Sequence, residues 1–255
     1  MSRPKGEISI RSLTVFGTLG RISRYARNDI ENTLKLIAFD TSTEACSAAL
    51  YVNGEILSRY ELAPRRHAEL ILPMIDSLLS EAQLSLKQLD AIGFGQGPGA
   101  FTGVRIATGV AQGLAFSANL PVIPVSSLAA LAHGVKNNAD HIIAAIDARM
   151  GEIYYGVYQI NDHGIVEILG EEHVCSPDQI TIPDTITVCY GAGSGWSRYE
   201  KILSRYSGKK LAGFDGDRYP NAVDVAMLAA SAFKLGMSVT ADQVLPVYLR
   251  NKVTG

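Results

Sequence analysis

Cysteine, tryptophan and uncompensated charge are all scarce in this sequence. Only Cys46, Cys175 and Cys189 occur among 255 residues, an odd number at wide spacing that excludes a disulfide scaffold and lacks the paired spacing of a zinc site. Such usage fits a reducing compartment, and a cytoplasmic location is expected. Lys and Arg total 23 against 25 Asp and Glu, a net charge of −2, so the strong positive field of an independent nucleic-acid binder is missing. No stretch approaches the ~18 apolar residues of a membrane span, and no membrane association is expected. The five histidines, His67, His133, His141, His163 and His173, lie scattered, and no two stand four apart as helical metal ligands would. What is present is a 47% hydrophobic, 19% charged chain, able to build an ordinary core and long enough for two lobes.

Residues 1–34 differ from the rest. They carry six basic and three acidic residues and no sustained apolar period, so they read as a poorly ordered basic extension. Without them 17 basic and 22 acidic residues remain, leaving an acidic body. Glu7, Asp29 and Glu31 spoil an acid-poor transit pattern, and no apolar core precedes a cleavage site.

From Leu36 the order of elements is α/β. A buried strand LIAFD ends in Asp40, CSAALYV and EILSRY flank an Asn53-Gly54 turn, and Leu70, Ile71, Met74, Ile75, Leu78 and Leu79 recur at helical spacing across 66–81. Strand AIGFG, a glycine loop, a small-residue helix to about Phe116, strand VIPVS and a helix to about His133 complete residues 35–134. Residues 135–255 restart the scheme: HIIAAID ends in Asp147 as LIAFD ended in Asp40, 107 positions later, before the strands EIYYGVYQI, IVEILGEEHV and TITVCYG and two helices. Two related lobes of this kind commonly hold a ligand in their cleft.

The sharpest motif is the glycine loop from Gln96 to Gly109. Gly95 to Ala100 formally satisfies the dinucleotide fingerprint, but the ribose-binding acid is absent, because no Asp or Glu lies between Asp90 and Asp140. A Walker loop fails too, with no Lys between Lys87 and Lys136. The loop then either cradles an anion or makes a tight turn that needs glycine. In the following helix Gly103, Ala107, Ala111 and Ala115 form a small-residue stripe, with Gly109 and Gly113 on a neighbouring row. Glycines inside a soluble helix each cost about 1 kcal/mol. Either close packing on the chain's own sheet or a docking face for another helix accounts for them. Asp40-Thr41-Ser42-Thr43 offers a carboxylate and hydroxyls where open α/β folds bind ligands, or an Asp that satisfies its own turn amides. Asp147-Ala148-Arg149 is a second cleft element or an internal ion pair. Ser194 lacks both flanking glycines of a nucleophile elbow, and Cys46 reads as a buried thiol.

FDTSTEACSAAL, the His67 to Ile75 helix, GQGPGAFTGVRIATGVAQGLA, AAIDARMGEIYY and PVYLR at 246–250 together resemble the TsaB family, formerly YeaZ, of tRNA threonylcarbamoyladenosine biosynthesis proteins. The resemblance implies an actin-like, two-lobed fold of the acetate kinase, Hsp70 and actin type, RNase H-like in each lobe. It implies an accessory subunit with no catalytic residue and no metal of its own, since the H-x-x-x-H metal pair of TsaD-type proteins here reads His67 to Ile71, and Ile cannot coordinate. It also implies binding to a TsaD-like catalytic subunit, for which Leu70, Ile71, Met74, Leu78, Val104, Thr108, Gly109 and Gln112 are the candidate partner-binding residues. A TsaE-like ATPase would join at the junction, a homodimer would compete for the same surface, and tRNA would be met only within the complex. No cofactor is expected to bind tightly, any ATP or ADP lying at the partner interface. Candidate nucleotide-facing residues are Asp40, Thr41, Ser42, Gly97, Gly99, Thr102 and Gly103. The rival reading is a self-sufficient nucleotide-dependent phosphotransferase using Asp40 and Asp147.

Overall fold

A computed structural model describes residues 34–250; residues 1–33, nearly all of the basic extension, and residues 251–255 lie outside the described part. In the first lobe β1 (Lys35–Asp40), β2 (Ala45–Val52) and β3 (Glu55–Leu62) form an antiparallel meander. Its β2–β3 turn is Asn53-Gly54, both at positive φ (55° and 92°), the conformation a two-residue hairpin loop requires. Helix α1 (His67–Glu81) leads to β4 (Ala91–Gly95), and α2 (Phe101–Ala118) leads to β5 (Val122–Val125). Strand β4 lies parallel to β1, and β5 parallel to β4. The sheet order is β3-β2-β1-β4-β5.

After α3 (Ser127–His133), the second lobe repeats this plan. Strands β6 (His141–Arg149), β7 (Glu152–Ile160) and β8 (Val166–Ile168) are antiparallel, β9 (His173–Cys175) also pairs with β7, and β10 (Cys189–Ala192) and β11 (Leu211–Asp215) are added in parallel. The order β8-β7-β6-β10-β11 is that of the first sheet, so the duplication extends to the whole lobe. This is the actin-like, two-lobed α/β fold. Helices α4 (Ser194–Ser207) and α5 (Ala222–Lys234) complete it.

The central strands β1 and β4 are apolar on both faces because helices cover both, and the period-2 alternation sorts residues between two cores. Ile37 and Phe39 of β1 face α1 and α2, packing with Ile71, Ile75, Leu78, Ala107 and Ala111. Leu36 and Ala38 face the other way, into a core shared with Leu128 and Leu131 of α3, Val225, Ala226 and Ala229 of α5, and Ile142 and Ala144 of β6. A third cluster, around Trp196, Ile143 and Tyr155, lies under α4. The layers are therefore α1/α2, first sheet, α3/α5, second sheet, α4. The inner helices are exchanged: α5, from the end of the chain, packs on β1, β4 and β2, while α3 packs on β6, β7 and β8.

Three elements differ from the sequence reading. IVEILGEEHV is two short strands, because Gly170 takes φ +89° and residues 169–172 bulge from the edge of β7. Only the last three residues of TITVCYG are strand, the start of β10. LAGFD, now β11, carries no strong alternation and escapes recognition. Pro73 is accommodated within α1. No helix among the described residues is long and apolar enough to cross a membrane.

Candidate functional site

Asp40 ends β1 at the junction of the lobes, enclosed and without accessible surface. Its Oδ1 accepts hydrogen bonds from the Ser42 N–H and hydroxyl, both at 2.8 Å, and its Oδ2 accepts one from the Ser127 hydroxyl at 3.0 Å. Burial raises its carboxyl above the ordinary range, against the opposing pull of the Ser42 and Ser127 hydrogen bonds and of His67. The glycine loop lies directly on this turn. A Cβ on Gly95 would collide with the Asp40 carboxylate, one on Gly99 with the Ser42 carbonyl, and one on Gly103 with the Thr41 carbonyl. The Thr41 hydroxyl donates to the Gly103 carbonyl at 2.7 Å, and the Ala100 N–H to the Ser42 carbonyl at 2.7 Å.

These contacts correct the nucleotide-facing assignment. Asp40, Thr41, Gly97 and Gly103 are buried and spend their polar groups or their missing side chains on the chain itself. The glycines are there for close approach, and what would cradle a phosphate is filled by the neighbouring turn. Ser42 and Gly99 do line the inter-lobe cleft, beside Thr43, Phe101, Asp147, Arg149, Tyr248 and Arg250, and Thr102 lies exposed at the start of α2. The cleft is about 240 Å³, below the ~300–1,000 Å³ of drug-sized ligand sites.

Across the cleft, Asp147-Ala148-Arg149 is an internal ion pair. Arg149 holds Asp147 Oδ2 at 3.0 Å and Glu44 of the other lobe at 3.0 Å, and Arg198 stands 3.5 Å from the same Asp147 oxygen. Arg149 and Met150 both take positive φ (64° and 56°), an uncommon conformation for such residues. The turn is held by Arg149 N–H donating to Asp147 Oδ1 and by Arg250 donating to the Ala148 carbonyl. Of the two carboxylates of the phosphotransferase reading, Asp40 is enclosed and Asp147 is engaged by two arginines. Among the described residues no three His, Cys, Asp or Glu side chains gather as a metal site would require.

The outer layer is different in kind. Ile71 and Leu78 have no accessible surface and Val104 and Thr108 almost none, because these positions are the inward faces of α1 and α2. They are corrected from partner-binding to core positions. Thr108 donates to the Val104 carbonyl, and Gln112 is tied to the Val244 carbonyl at 2.9 Å. The stripe Gly103, Ala107, Ala111 and Ala115 also faces the first sheet. The neighbouring row is the open one: around Gly109 and Gly113 a Cβ would meet nothing within 4 Å. Phe116 of α2 is 85% exposed and Leu72 of the adjoining α1 49% exposed, with Leu70 and Met74 half-buried. Phe116 and Leu72 were missed from the sequence, although an apolar residue one step off the buried stripe is a readable signal.

Elsewhere, a groove of about 490 Å³ over β7 is lined by Tyr155, Glu171, His173 and Cys175. Burial, with Glu152 and Asp178 beside it, pushes the Cys175 thiol up to about 11, so it is a poor nucleophile. Cys46 is buried and its thiol is pushed up to about 12 by burial, with Asp40 and Glu61 adding to the effect.

A family model described as TsaD, tRNA N6-adenosine threonylcarbamoyltransferase, matches residues 56–200. The tRNA threonylcarbamoyladenosine biosynthesis protein TsaB of Haemophilus influenzae is 43% identical over 232 residues, covering 87% of this chain and 95% of that protein. The TsaB of Escherichia coli is 42% identical over 229 residues, covering 86% and 96%. Among solved structures, YeaZ from Pseudomonas aeruginosa superposes with a TM-score of 0.80 at 46% identity, over 85% of this chain and all of that one.

Proposed function

The chain belongs to the TsaB (YeaZ) family of tRNA threonylcarbamoyladenosine biosynthesis proteins, and from that premise we propose that it acts in that biosynthesis as a non-catalytic docking subunit. It binds a TsaD-like catalytic subunit through the outer face of α1 and α2. A TsaE-like ATPase joins at the junction, ATP or ADP is held there rather than turned over by this chain, and tRNA is met only within the assembly. The observation that supports this reading is a contrast. The polar turn that would serve chemistry is filled by its own chain, while Gly109, Gly113 and Phe116 on α2 and Leu72 on α1 stand open to solvent. Open glycines let a partner helix approach closely, and each large side chain buried there contributes ~1.5–3 kcal/mol before association costs. A second copy of the chain competes for the same face.

The test is the double variant Leu72→Glu, Phe116→Asp, both outward-facing. The expected result is unchanged circular dichroism and melting, loss of co-elution with the TsaD-like subunit, and loss of threonylcarbamoyladenosine from tRNA in cells that depend on the variant. Retained co-elution with full modification overturns the assignment of the face. Light scattering of the chain alone reports the homodimer.

A further inference from the structure

Ser126 and Ser127 are adjacent in the chain and bonded to different lobes. The Ser127 hydroxyl donates to Asp40 Oδ2 at 3.0 Å and its N–H to the Gly97 carbonyl at 2.9 Å, so it is fixed to the first sheet. The Ser126 hydroxyl donates to Glu172 and accepts from the N–H groups of Leu128 and Ala129, at 3.1 and 3.2 Å, as the N-cap of α3. Glu172 lies in the bulge between β8 and β9 and accepts a second hydrogen bond from the Tyr158 hydroxyl of β7. A continuous polar chain thus runs from Asp40 through two serines to Glu172 and Tyr158, crossing from one sheet to the other behind the cleft. Among the described residues no cation stands within ion-pair distance of either carboxylate, so both are held by hydroxyl and amide donors alone. Glu172 is part-buried, and swinging the lobes apart would break the hydrogen bond it accepts from Ser126.

We propose that Glu172, seated on Ser126, is an inter-lobe latch that holds the two lobes as one rigid body, so that the cleft does not open and close. The exchanged inner helices α3 and α5 act in the same direction. The bulge at residues 169–172 is what delivers Glu172 to Ser126. The inference is independent of the proposed docking role.

Inter-lobe distance in the full chain tests it, with spin labels at Asp76→Cys on α1 and Lys201→Cys on α4, both exposed positions, in a Cys175→Ser background. One narrow distance distribution is expected, unchanged by added magnesium ATP. Glu172→Ala should broaden it or split it in two, and Glu172→Gln, which keeps the accepting oxygen, should restore the narrow form. A wild-type chain with two populations, a shift on adding magnesium ATP, or a Glu172→Ala chain as narrow as wild type would each overturn the latch. Should Glu172→Ala not fold, amide exchange of the unlabelled chain decides: the Leu128, Ala129 and Leu169 amides should exchange together at the global unfolding rate. Exchange of these amides tenfold or more faster than that rate would overturn it.

Discussion

Gly95, Gly103 and Gly109 lie within 15 positions of one another, yet their surroundings assign them opposite roles. Gly95→Ala drives a methyl into the Asp40 carboxylate and is expected to cost at least ~2 kcal/mol, as overpacking does, measurable by urea denaturation. Gly109→Ala meets nothing and gains helix propensity, so the isolated chain should become more stable by up to ~1 kcal/mol while association through that face weakens. Glu172 offers a different test at the same scale. Burial raises its carboxyl above the ordinary range, against the Ser126 and Tyr158 hydrogen bonds. A group raised in the folded state contributes stability that is fully present below its unfolded value and is lost as pH rises through the folded one. Melting of Glu172→Gln across pH 4–8 should therefore match wild type at the acidic end and exceed it at the neutral end. A wild type that gains on the variant as pH rises would contradict that direction.

Helix α1 shows what an element reveals about itself before its surroundings are known. The spacing of Leu70, Ile71, Met74, Ile75 and Leu78 predicts the helix, and the structure has it at His67–Glu81. The same spacing does not say which apolar side belongs to the sheet and which to solvent, and the most regular positions were the ones buried. Ile71→Glu is accordingly expected to unfold the chain, at a cost of at least ~3 kcal/mol for an unpaired buried charge. Leu72→Glu should leave far-ultraviolet circular dichroism unchanged. The β-meanders, the Asn53-Gly54 turn and the glycine loop were legible because their signals are local: alternation, turn chemistry, small residues in a row. The filled turn around Asp40 was not, because Gly99, Gly103 and Ser127 reach it only through the fold. Glu172 carried no sequence signal at all, since its partners are 46 and 14 residues away.

At the scale of the molecule the two sheets share one middle layer, and each inner helix serves the sheet built by the other part of the chain. A fragment of residues 34–134 therefore holds all five strands of the first sheet without α5, the cover for Leu36, Ala38 and Ala91. It is expected to lack a cooperative melting transition, whereas the full chain should unfold in one step by calorimetry. A fragment that melts sharply alone would show that the first lobe is autonomous.

The late arrival of α5 also bears on how the molecule is made. Its first residue, Ala222, follows β1 by more than 180 positions, so during translation one greasy flank of a nearly finished sheet stays bare until the ribosome has released most of the message's product. Such a nascent chain is a natural client for chaperones, and any premature stop upstream of that helix leaves a product destined for proteolysis rather than a half-useful lobe.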